Sequence, residues 1–171
     1  QKDIERKIIR TVSSTSLKSD PLRMLRAFRF AATLNFSIDE NTLKEIALTK
    51  EDIATTARER VWQELFKFFS AANTQGLISS MKETGLLFCL LPSTFTDWKK
   101  VLIHYKRLEH IVLNPVLYFP MQNHDLPEKA LLKFALLLIG MDKNPSTKAN
   151  NKDFGLPKTY EFLRNFEVSN N

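Results

Sequence analysis

The stretch from Asp20 to Asn35 constrains the fold most. Leu22, Leu25, Phe28 and Ala32 recur at helical spacing, so they share one face of a helix. Pro21 stands where a helix begins, because the first N–H groups need no intrahelical acceptor and the ring presets φ. Ser19 or Asp20 is expected as the N-cap. Asn35 is expected as the stop, since Asn tolerates left-handed backbone geometry. A helix with so wide an apolar face must be covered by other elements.

The rest of the chain supplies more helices. Asp39 is expected to cap a second one, running to about Leu48. Thr56 with Glu59 reads as a capping box, opening a helix to about Ala71 with Val61, Leu65, Phe68 and Phe69 on one face. Further helices are expected over Thr74–Glu83, stopped at Gly85, then over a short apolar turn ended by Pro92. Thr96–Leu113, Glu128–Gly140 and Leu156–Phe166 complete the set. Ile4–Val12 is a short amphipathic segment, helix or strand. Ser13–Ser19 and Asp142–Gly155 read as loops. Four glycines in 171 residues disfavour a turn-rich β chain, and no alternating strand of useful length or internal repeat is evident. The fold class is therefore all-α.

Composition narrows the setting. Hydrophobic residues make up 43% of the chain, enough for a real core. A single cysteine, Cys89, excludes an internal disulfide framework and fits a reducing compartment, so a cytoplasmic location is expected. The longest apolar stretch, Phe134–Ile139, is far too short to span a membrane. No signal peptide is seen, and a start at Gln1 suggests a piece of something longer. The net charge of +6 mildly favours a polyanionic partner. Its one local excess is Lys99, Lys100, Lys106 and Arg107, with His104 and His110 nearby; these read as phosphate contacts or as a solvated helix face.

Chemistry concentrates at Asp20–Phe30. Arg23, Arg26 and Arg29 lie three apart and form a basic stripe that winds slowly around the helix. Arg23 is one turn from Asp20, so a carboxylate and a guanidinium share one helix edge. Cytosine and adenine each show an amine donor beside a ring acceptor. Asp accepts from the amine, and Arg donates to the acceptor. Guanine and uracil reverse the pattern, and an unpaired buried group costs about 1–3 kcal/mol, or ~10- to 100-fold in selection. The competing reading is an N-cap with solvated arginines.

Three strings, DPLRMLRAFRFAATLNFSIDENT, ARERVWQELFKFF and GLISSMKETGLLFCLLP, resemble the bacterial-type tRNA nucleotidyltransferase and poly(A) polymerase family in unbroken order from Asp3 to Pro92. In that family a Glu-Asp-x-x-Arg motif templates the incoming CTP or ATP. The resemblance places it on Ser19, Asp20 and Arg23, with Ser19 replacing the usual Glu, and implies nucleotide binding by Asp20, Arg23 and Arg26. Glu59 and Arg60 match a stretch that braces the neck. KDIERKIIRTV looks like the end of the motif joining catalytic head to neck, with Asp3 as its final Asp. The resemblance thus implies a catalytic head upstream, holding magnesium on an Asp-x-Asp pair that is absent from these residues. Without it, this stretch is expected to be inert.

After Pro92 the likeness thins. LLKFALLLIGMDKNPST resembles the start of a metal-dependent phosphohydrolase helix found in longer members, but Ile139 and Gly140 stand where a His-Asp doublet belongs. His110 sits where an earlier ligand could fall, and His104 and His124 show no ligand spacing. The expected organisation is a neck domain over residues 1–92 and a helical body over 93–171, like a degenerate phosphohydrolase that binds no metal. The resemblance implies a part of an RNA 3′-end nucleotidyltransferase, adding CCA to tRNA or poly(A), with tRNA or another RNA 3′ end and CTP or ATP as partners and no membrane. The alternative is a non-catalytic helical RNA-binding or protein-docking module.

Overall fold

Asn35 decides how the chain leaves its arginine-rich helix. Its backbone is left-handed (φ 55°, ψ 49°), and the N–H groups of Asn35 and Phe36 both donate to the Ala31 carbonyl. The chain then turns back beside its own beginning. The computed structural model describes residues 2–13, 15–91, 97–114 and 129–139. In order, its elements are α1 (Lys2–Glu5), β1 (Ile8–Ile9), α2 (Ser16–Ser19), α3 (Leu22–Leu34) and β2 (Ser37–Ile38). Then follow α4 (Glu40–Thr49), a 3-10 turn (Lys50–Thr55), α5 (Arg58–Ser70), α6 (Gln75–Glu83), α7 (Leu86–Leu90), α8 (Trp98–Leu113) and α9 (Lys129–Ile139). The structure is mostly helical, as the periodicity predicts.

Four local expectations need correction. Ile4–Val12 is neither one helix nor one strand: α1 ends within it, and Ile8–Ile9 pairs in parallel with Ser37–Ile38. Tertiary closure makes this two-residue pairing, which has no length to show in an alternation pattern. The segment Ser13–Ser19 holds a helical turn, Ser16–Ser19, anchored by Leu17 at 1% exposure. Neither Ser19 nor Asp20 caps α3. Asp20 is extended (φ −146°, ψ 92°), Pro21 opens the helix, and no side chain caps it. The capping box also fails. Thr56 ends the 3-10 turn, Ala57 precedes α5, and Glu59 is exposed without capping anything. Asp39 does cap α4, accepting from the N–H groups of Asn41 and Thr42 at 3.1 and 3.4 Å.

Helix α3 packs on α5, and α9 packs on both α5 and α8. Met24, Phe28, Ile46, Ile53, Ile78, Met81, Leu86 and Leu137 are completely buried in one continuous core that reaches from Leu17 to Leu137. Trp62 and Phe134 meet edge to face at 5.1 Å between centroids, and Phe69 lies 5.8 Å from Phe134. Such pairs add about 0.5–1.5 kcal/mol each beyond burial, so they dock α9 on α5. Gly85 turns the chain from α6 into α7 at φ 80°, and a Cβ there would meet Lys50 Cδ at 3.0 Å.

One polar cluster is sealed inside. Glu109 on α8 reaches the start of α6. It accepts from the Thr74 N–H at 2.7 Å, from the Thr74 hydroxyl at 2.5 Å and from the Gln75 N–H at 3.3 Å. Two N–H groups of a helix start thereby find a carboxylate from another helix. Lys133 on α9, 1% exposed, donates to Glu109 at 2.8 Å and to the carbonyls of Ala71 and Ala72 at 2.6 and 3.2 Å. Burial pushes the Lys133 ammonium below its usual pKa, against the pull of Glu109. The Tyr105 hydroxyl joins through Thr74 at 2.7 Å, and burial drives its pKa far up.

Candidate nucleotide and RNA site

The start of α3 gathers charge from three elements. The Asp20 carboxylate lies 3.9 Å from Arg23, 3.8 Å from Arg26 and 3.9 Å from Arg60 on α5. These are ion pairs longer than hydrogen bonds, with the three arginine side chains 40–52% exposed. Glu64, one turn along α5, is nearly buried and takes Arg26 at 3.5 Å and Arg29 at 2.5 Å. The basic stripe therefore divides. Arg29 turns inward to Glu64 and stacks over Phe30 at 3.9 Å, while Arg23 and Arg26 face outward.

Arg23 and Arg26 line an open cleft of ≈ 410 Å³. Its other wall is the strand-to-loop segment at Arg10, Thr11 and Val12, with Ser16 and Phe30 also lining it. The cleft combines guanidinium donors, hydroxyls and apolar surface, the mixture a nucleotide's planar and anionic parts require. Asp20 is not on its lining; its carboxylate, 25% exposed, flanks the two arginines at the edge of the cleft. Two lining residues carry no sequence signal. Arg10 is held by Asp39 at 3.2 Å and Asp3 at 3.7 Å, and Ser16 falls in a stretch read as loop. Their partners lie far away in sequence or across a turn that patterning does not reveal.

Of the two brace residues, Arg60 reaches across to Asp20, whereas Glu59 stays on the exposed side of α5. Glu64 is the stronger tie between α5 and α3. Lys99, Lys100, Lys106 and Arg107 are all on α8, and all four are exposed. Residues seven apart on a helix lie within about 20° of each other, so these four form one face. Ile103, 52% exposed, lies among them, and Val101, Tyr105 and Val112 are buried on the opposite side. Lys100 also contacts Asp97, the helix cap, at 3.8 Å. His104 and His110 share the exposed side of α8. His124, Gly140 and the Asp142–Gly155 and Leu156–Phe166 segments lie outside the described residues.

No group of three or more His, Cys, Asp or Glu side chains among the described residues is placed to hold a metal ion. The Asp-x-Asp pattern is missing from the sequence too. The described residues therefore do not fit magnesium. No described helix is long and apolar enough to cross a membrane.

The chain is similar to known proteins in both sequence and fold. The family described as the probable RNA and SrmB-binding site of polymerase A matches residues 35–97. The CC-adding tRNA nucleotidyltransferase of Shouchella clausii is 31% identical over 137 residues, covering 80% of this chain and 33% of that protein. The multifunctional CCA protein of Vibrio campbellii is 39% identical over 97 residues, 54% of this chain and 24% of its own length. The chain thus spans about a third or less of the curated relatives it matches. Among solved structures, a CCA-adding enzyme in complex with CTP superposes with a TM-score of 0.70 at 20% identity, over 98% of this chain and 39% of that one. A tRNA-processing enzyme in its apo form gives 0.68 at 24% identity, over 82% and 37%. These structures share the helical fold. The chain is thus similar to part of the bacterial CC- and CCA-adding tRNA nucleotidyltransferases.

Proposed function

We propose that this chain is the base-reading neck and RNA-holding body of an enzyme that adds nucleotides to RNA 3′ ends. The observation that carries the reading is the cluster at the cleft, where Asp20 stands beside Arg23 and Arg26. Asp20 accepts from the amine of cytosine or adenine, and Arg23 donates to the adjoining acceptor. Arg26 supplies a second guanidinium on the same wall. CTP and ATP are the substrates this pairing selects. Relatives that add CC or CCA to tRNA favour tRNA as the acceptor, with poly(A) addition the other outcome compatible with an adenine-reading pair.

The basic face of α8 grips RNA phosphates through Lys99, Lys100, Lys106 and Arg107. Carboxylates for phosphoryl transfer, and the magnesium they hold, belong to a part of the protein outside these residues. The 171 residues alone then bind without catalysing. On this reading the protein works in the cytoplasm, where half-buried Cys89 stays a thiol.

The test is nucleotide incorporation by the full-length protein into tRNA lacking its CCA end. Asp20→Ala and Arg23→Ala are each expected to lower discrimination against UTP and GTP by ~10- to 100-fold. Unchanged selection in both variants would refute the assignment. Replacing Lys99 and Lys106 by Gln is expected to weaken tRNA binding. It should also make the salt dependence shallower, by about 0.7–0.9 in log–log slope for each phosphate no longer neutralised. A non-catalytic RNA-binding module would instead bind tRNA with no incorporation by the full-length protein.

A further inference from the structure

We infer that Ser16 is the positioning residue for Arg23; this rests on the base-reading assignment above. Among the described residues, every hydrogen bond of the Arg23 side chain goes to Ser16. Its Nη1 donates to the Ser16 hydroxyl at 2.8 Å and to the Ser16 carbonyl at 3.4 Å. Asp20 stays 3.9 Å from Nε, close enough to attract the charge and too far to fix the plane of the guanidinium. Ser19 does neither. Its hydroxyl donates to the Ser16 carbonyl at 2.9 Å, so it closes the α2 turn and is spent there.

Ser16 suits the task because burial and packing hold it in place. It is 8% exposed, and the next residue, Leu17, is buried in the core at 1%. Its N–H donates to the Ser13 carbonyl at 3.0 Å, and α2 packs against α3 and α4. Ser16 also lines the cleft beside Arg23. A planar guanidinium held at one amine keeps its remaining donors aimed in a defined direction. A hydroxyl holds that geometry without a negative charge, so the charge on Arg23 is left for the ligand's acceptor.

The test compares Ser16→Ala, Ser16→Thr, Ser19→Ala and Arg23→Ala in the full-length protein. The readout is the ratio of kcat/KM for CTP over UTP on tRNA lacking its CCA end, with thermal melting as a check on folding. Ser16→Ala is expected to lower the ratio about tenfold. Ser16→Thr, which keeps the hydroxyl, and Ser19→Ala are expected to retain it. Combined with Arg23→Ala, Ser16→Ala should add nothing further. A ratio that Arg23→Ala lowers and Ser16→Ala leaves intact overturns the role of Ser16 alone. Equal losses in Ser16→Ala and Ser16→Thr assign the effect to packing and overturn it as well. A ratio untouched by Arg23→Ala overturns the base-reading assignment beneath it.

Discussion

Two charge clusters in this protein use the same groups for opposite ends. At the junction of α6, α8 and α9, Lys133 donates to four acceptors between 2.6 and 3.3 Å and is 1% exposed. At the start of α3, Asp20 meets three arginines, none nearer than 3.8 Å and all 40–52% exposed. In the first, every buried side-chain atom is satisfied and the geometry leaves no donor for a ligand. In the second, water screens loose contacts and the guanidinium groups keep donors to spare. The buried cluster locks helices together. The exposed one leaves its donors open to solvent. Charge in a sequence is silent on which of these it will do; burial and distance decide.

The contrast breaks most sharply at Lys133. Lys133→Met would leave Glu109 buried and unpaired, and unfolding in urea is expected to show a loss of about 3–5 kcal/mol. The double variant Lys133→Met with Glu109→Gln should lose less, because a neutral amide still accepts from Thr74. A loss in Lys133→Met below about 1 kcal/mol, the size of an exposed pair, would mean the cluster is not sealed from water.

Glu64 tests the boundary between the two kinds. It is nearly buried, yet it holds Arg26 at the cleft as well as Arg29 beneath it. Glu64→Ala is expected to cost about 2 kcal/mol by losing charge-assisted hydrogen bonds, and to lower nucleotide affinity through Arg26. Thermal melts and CTP titration read the two effects separately. Loss of stability with unchanged affinity would place Glu64 wholly with the structural cluster.

The smallest effect belongs to Arg60. Its pair with Asp20 spans 3.9 Å at 52% exposure of the arginine side chain. Arg60→Ala should change stability by less than about 1 kcal/mol, an effect that high salt removes. A larger, salt-insensitive loss would show that Asp20 is a fixed brace rather than part of a loose cluster.

Much of the fold was legible because helical periodicity is a local property. Leu22, Leu25, Phe28 and Ala32 announced the buried face of α3, Asn35 its end and Asp39 the next cap, and all four apolar residues are buried as expected. The Thr56–Glu59 capping box misled, since the segment before α5 is drawn into a 3-10 turn by burial of Ile53. The site was legible only in part. Asp20, Arg23 and Arg26 do come together, while the partnership of Arg23 with Ser16 crosses from one short helix to the next.

The sequence by itself determined the helical class, the apolar faces and the family resemblance, because each is written in spacings of three or four residues or in contiguous strings. The tertiary structure alone decided what each charge does. Lys133 became a buried strut, Arg29 turned inward, and Arg23 was left at the cleft on a serine's hydroxyl. The physical reason is that an ionised side chain takes its role from the partners and water within a few ångströms. Those partners, Lys133 with Ala71 or Arg29 with Glu64, are brought by parts of the chain that local pattern does not connect.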